Sequence, residues 1–208
     1  MTQFAAGRSA FSLLSGALIH DAEIRGEVET CFRLLLSRYS TSIRENRFIV
    51  GGVAERIVAA TFVALGHAAA NIGVHVTRTD ISVCGAHLSV KSVFQRQPRG
   101  VRLLNVMGSS ATAQWLEPTV FVVSQMGIGY ADPAYIPTAT RRTGDAVELP
   151  FGELRRHWMA HPECLVPVQI PYALADESRS DIASRVVADE ILRYTSRLRP
   201  FDPRVPEQ

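Results

Sequence analysis

The stretch DISVCGAHLSVK, residues 80–91, most narrows the folds open to this chain of 208 residues. Polar and apolar residues alternate on both sides of Gly85–Ala86, the pattern of two strands joined by a tight turn. With the turn centred on Gly85–Ala86, Asp80 lies opposite Lys91 and Ser82 opposite Ser89. Opposed residues on one face of such a pair have Cβ atoms about 5 Å apart, and residues two apart share a face. Asp80, Ser89 and Lys91 are therefore expected on one face, with Ile81, Val83 and Val90 turned to a core. A slip of one residue would reverse the two faces.

Lys91 is the only lysine among 22 basic side chains; the rest are arginine. A GC-rich genome is the bland reason for so much arginine, and chance survival is the bland reading of the one exception. Arginine keeps the charge, but it is planar, bulky and never deprotonated. A site that needs a compact ammonium, or an amine able to release a proton, cannot accept it. Lys91 is thus the first catalytic candidate.

The apolar fraction of 47% and charged fraction of 20% are those of an ordinary globular protein. No apolar run is long enough to span a bilayer. The opening MTQFAAGRSAFSLLSGALIH lacks a basic cluster followed by a continuous apolar stretch, so it is expected to be mature protein. Three cysteines, an odd number without framework spacing, fit a reduced, cytoplasmic setting. A net charge of +2 excludes a histone-like polycation. A nucleic-acid partner would need its positive charge gathered in a cleft.

Along the chain, residues 8–20 form a weakly apolar lead-in. A helix is predicted over 21–39, with Ile24, Val28, Phe32, Leu35, Leu36 and Tyr39 on one face. Residues 40–48 read as a polar connection. Gly51–Gly52 then opens a buried helix over 53–65, closed by Gly66, with Glu55 in its first turn. After a turn at Asn71–Gly73, strands are expected over 74–83, 87–94, 101–107 and 119–126. GIGYADP reads as turn-rich and 131–149 as a long loop. A helix follows over 150–161, an edge strand over 165–170 and a final helix over 180–198. The chain is read as a single domain, 1–208. It divides into a lead-in (1–48), a core (49–175) and a C-terminal helix with a tail (176–208). The fold class is α/β, a central mixed β-sheet of about five strands flanked by helices.

A helix acid, then a strand aspartate, then Ser89-Val90-Lys91 on the next strand resembles the PD-(D/E)xK nuclease superfamily, and within it the type II restriction endonucleases. The resemblance covers roughly residues 50–130 and implies a magnesium-dependent DNA endonuclease with a restriction-endonuclease-like core. Asp80, Lys91, Glu55 and Ser89 match the catalytic positions. Magnesium takes hard oxygen ligands, which the resemblance assigns to Asp80, Glu55 and the Val90 carbonyl. Double-stranded DNA is the implied substrate. Homodimerisation is expected, because cutting both strands takes two sites. Position 89 departs from the pattern, since serine stands where an acid is common. Glu55 is the first candidate to supply the missing carboxylate and Glu117 the second. Other readings are a repair or mobile-element nuclease of the same fold, and a non-catalytic DNA-binding module on a decayed one.

QRQPRG supplies Gln95, Arg96 and Arg99, and the next strand Arg102. These are residue types that bond base edges and phosphates. Arg141 and Arg142 are further DNA-binding candidates. The bland reading of all six is a solvated surface. His157, His161 and Cys164 have a spacing that a zinc site could use, without a regular fourth ligand. Gly127-x-Gly129 lacks the third glycine of a dinucleotide loop. Cys84 is expected to be a small filler rather than a nucleophile.

Overall fold

The computed structural model describes residues 3–41, 44–72, 79–105, 114–137, 141–143, 146–174 and 182–200. The helices are α1 (Gln3–His20), α2 (Ala22–Arg38), α3 (Arg44–Ala64), α4 (Phe151–Ala160) and α5 (Ser184–Leu192). The strands are β1 (Ala69–Asn71), β2 (Ile81–Val83), β3 (Ala86–Val93), β4 (Gly100–Asn105), β5 (Thr119–Val123), β6 (Gly127–Ala131), β7 (Arg141–Thr143), β8 (Ala146–Pro150) and β9 (Leu165–Val166). Six strands form one mixed sheet in the order β1-β2-β3-β5-β6-β9, and β4-β8-β7 form a second, antiparallel sheet. The α/β class and the mixed sheet stand as expected, with six strands rather than five.

Within the large sheet only β3 and β5 run parallel. Helices cover both faces. Tyr130 meets Phe11 of α1 and the adjacent Gly129 meets Trp158 of α4, and neighbours along a strand point to opposite faces. Helix α3 crosses β1, β2 and β3, buttressed by α2 and α5. Helix α2 matches its pattern. Asp21 caps it by accepting from the amides of Glu23 and Ile24, and Ile24, Val28, Phe32, Leu35 and Leu36 are fully buried.

Several expectations are corrected. The lead-in is helix α1. Gly51–Gly52 lies inside α3 rather than at its start, because a Cβ on Gly52 would stand 2.5 Å from Ser184 Oγ. The glycine is a packing notch for α5. Asn71 belongs to strand β1, paired with Ile81, not to a turn; residues 74–78 of the expected strand lie outside the described residues. GIGYA is strand β6. Its glycines admit the backbone of Val166 and the Trp158 ring, so they mark close approach rather than a turn. The supposed loop 131–149 holds β7 and most of β8. The final helix is shorter than expected, Ser184–Leu192, and Val186 on it and Tyr194 just beyond it are exposed. Residues 180 and 181 of the expected helix lie outside the described residues.

A half-buried ion pair ties α1 to the end of β6. Asp132, fully buried, accepts from Arg8 Nε at 2.9 Å and Nη2 at 3.1 Å, and from the Tyr130 hydroxyl at 2.9 Å.

Candidate active site

The β2–β3 hairpin turns at Cys84–Gly85, one residue earlier than expected. Both residues have positive φ, 49° and 76°, as a two-residue type I′ turn requires. Val83 therefore pairs with Ala86, Ser82 with His87 and Ile81 with Leu88. The register is shifted by two from the expected one, so Asp80 sits beside Ser89 rather than opposite Lys91. A shift of two keeps every side chain on its face. Ile81, Val83 and Val90 remain core residues, and Asp80, Ser89 and Lys91 still share the other face.

Three donors converge on Asp80 Oδ2: the Val90 amide at 2.6 Å, the Ser89 hydroxyl at 2.9 Å and the Lys91 ammonium at 3.3 Å. Ser89 is 4% exposed, and its proton is committed to Asp80. Lys91 and Asp80 form a partly exposed ion pair.

Glu55 comes from the middle of α3, flanked by buried Val53, Ala54, Ile57 and Val58. Asn71 Nδ2 donates to Glu55 Oε2 at 3.2 Å. Burial, and then the charge of Asp80, push the Glu55 carboxyl up to about 7; the Asn71 bond and the charges of Lys91 and Arg56 only partly offset this. A buried carboxyl raised by a neighbouring carboxylate's charge, among oxygen donors, suits a hard divalent cation. Among the described residues no group of three His, Cys, Asp or Glu side chains is close enough to hold a metal. Any ion here would rest on two carboxylates, backbone oxygen and water.

Glu55, Val90 and Lys91 open onto a cleft of about 740 Å³. Its far wall is the turn after β3 and the strand pair β4–β8, bringing Gln95, Arg99 and Arg102 to the same cavity. Arg96 departs from this group, with its guanidinium carbon 5.5 Å from the Tyr172 ring centroid. Arg141 and Arg142 lie on β7, and their side chains are outside the described set. Glu117 is buried just before β5 and accepts from the Leu116 amide at 3.2 Å; it does not line the cleft.

Sequence reasoning missed Asn71, Arg47 and Glu148, the last two being cleft residues. The local sequence pattern reads Asn71 as turn, Arg47 as connection and Glu148 as loop. Their signal appears only once β1, the true start of α3, and β8 are known.

His157 and His161 do share a face, with ring centroids 5.1 Å apart. However, His157 Nε2 meets the Tyr130 carbonyl at 3.2 Å, and His161 faces Glu163 at 3.4 Å. Burial, and then the charge of Glu163, push the Cys164 thiol up to about 11, a poor start for a thiolate ligand. These residues form a packed cluster around Tyr135. Cys84 is an exposed turn residue rather than a filler.

No protein-family model matches the sequence, and no curated protein matches it. Among solved structures, one described as a restriction endonuclease in complex with substrate DNA is similar over 78% of this chain and 93% of its own, at 15% identity and a TM-score of 0.57. That likeness is one of fold: the chain has a restriction-endonuclease-like α/β architecture.

Proposed function

We propose that this protein is a magnesium-dependent DNA endonuclease of the PD-(D/E)xK type, acting as a type II restriction enzyme on a short duplex sequence. The observation that carries the proposal is the convergence of Asp80 with the chain's one lysine, and of Glu55's raised carboxyl with Asp80's charge, beside an arginine- and glutamine-lined cleft. The similar fold of a restriction endonuclease that binds substrate DNA supports it.

In this reading Asp80, Glu55 and the Val90 carbonyl hold the magnesium ion. When bound, the ion polarises the scissile phosphate and acidifies a coordinated water. Lys91 orients the attacking water and offsets the negative charge gathering on the phosphate oxygens. A compact ammonium fits beside Asp80 where a guanidinium fork would crowd it. Ser89 acts through Asp80, fixing its carboxylate by a hydrogen bond, and Asn71 does the same for Glu55. Supporting groups of this kind orient metal ligands. Gln95, Arg99 and Arg102 contact DNA across the cleft, with Arg96, Arg141 and Arg142 as further DNA-binding residues. The active form is a homodimer, and the exposed Val186 and Tyr194 near the C-terminus offer one apolar surface for it.

The test is to incubate the purified protein with plasmid and phage DNA, with magnesium or with EDTA. Discrete fragments with 5′-phosphate ends, formed only with magnesium, are the expected result. One observation favours a second reading, a DNA-binding module on a decayed nuclease fold: the serine at position 89. Retention of DNA without cleavage under any divalent ion would select that reading.

A further inference from the structure

We propose that Arg102 and Glu148 act as one base-reading unit, with Arg102 taking the guanine and Glu148 the cytosine of a single G·C pair in the DNA major groove. This rests on the reading of the cleft as a DNA site.

The two residues are Cα partners on the antiparallel pair β4–β8. Directly opposed residues share a face, about 5 Å apart at Cβ. Both line the same cleft as Lys91 and Glu55, so a duplex held at the carboxylates would lie within the cavity that the pair also lines. The register slips between Arg102 and Leu104. A bulge at this point re-aims the side chains beside it.

Glu148 is the informative member. A carboxylate in a groove for a polyanion repels phosphate, so a purely electrostatic clamp would exclude it. Glu148 is flanked on its sheet by Arg102 of β4 and Arg141 of β7, and its pairing with Arg102 is not a stability device. Its ion pair with Arg102 is loose, at 3.9 Å, with the side chains 30% and 60% exposed, and such pairs contribute little. A base edge supplies the missing reason. A carboxylate only accepts, and the major-groove edge of cytosine offers an amino donor. The arginine fork matches O6 and N7 of the guanine paired to it. In the free protein the two side chains neutralise each other, and a G·C pair can satisfy both at once.

The experiment is selection of bound duplexes from a randomised pool by the full-length protein, with calcium in place of magnesium, followed by sequencing. Wild type, Glu148→Gln, Glu148→Ala and Arg102→Ala are compared, with thermal melts to show that each is folded. The expected result is a wild-type preference at one G·C pair that falls about ten-fold in all three variants, the other positions being unchanged. A wild type that retains duplex without preference at any pair overturns the proposal. So does a preference that survives in the Glu148 variants, or an Arg102→Ala loss spread evenly over all sequences, the mark of a phosphate contact. If the wild type retains no duplex at all, the DNA reading of the cleft fails and this proposal with it.

Discussion

Ser89 donates its hydroxyl proton to Asp80 Oδ2 across 2.9 Å, so a buried hydroxyl holds the neighbouring acid in place. Losing that bond should weaken the site without emptying it. Ser89→Ala is expected to lower the cleavage rate about 10- to 100-fold, the usual cost of removing a group that orients a metal ligand. Ser89→Asp would set a second carboxylate against Asp80 at a position only 4% exposed. It is expected to lower the melting temperature of the metal-free protein, with magnesium restoring part of the loss. Single-turnover cleavage and calorimetric melts check both.

Glu55 gives the metal-free protein a characteristic pH dependence. Its carboxyl rises from 4.5 to about 7 on folding. A group shifted upward stabilises the fold below pH 4.5, and that contribution is lost as pH rises through 7. The shift corresponds to about 3 kcal/mol, an order-of-magnitude figure. Denaturant unfolding in EDTA from pH 4 to 8 should show wild type losing stability relative to Glu55→Gln by about that amount. A constant difference between the two proteins across the range would contradict the shift.

The Arg8–Asp132 pair makes a stability prediction away from the cleft. Arg8→Ala leaves a fully buried carboxylate without its cation, and is expected to cost about 3 kcal/mol in denaturant unfolding. Tyr130 and the backbone amides that also bond Asp132 keep the loss from being larger. Metal binding at the cleft should be unchanged in the folded variant.

Gly129→Ala is expected to destabilise more than an average core substitution, because the added methyl would enter the Trp158 ring on α4. Overpacking of this kind typically costs about 1–3 kcal/mol, read as a lower unfolding midpoint at unchanged slope.

The same glycine shows where sequence reading stopped. Helix α2 was legible because a capping aspartate precedes a strongly periodic apolar face. The hairpin faces were legible because alternation survives a two-residue shift. Its register was not, because the turn places a cysteine, an unusual choice, in the left-handed region. Strand β6 and the middle of α3 were misread because Gly127, Gly129 and Gly52 resemble punctuation. They are instead contact points with Val166, Trp158 and Ser184, partners that no local pattern names. Asp80, Glu55 and Lys91 could be nominated from residue type and spacing. Asn71 and Glu148 could not, since their place depends on strand pairings far along the chain.

The central claim is that Asp80, Glu55 and Lys91 form one catalytic centre in which the chain's single lysine cannot be replaced by its commonest basic residue. Single-turnover cleavage of a duplex carrying the recognition site, in magnesium, compares wild type with Lys91→Arg and Glu55→Gln, and a gel-shift titration compares their DNA binding. Both variants are expected to bind DNA as wild type does and to lose cleavage by at least about 100-fold, the scale of one positioned group in a transition state. A Lys91→Arg protein that cuts at the wild-type rate would contradict it.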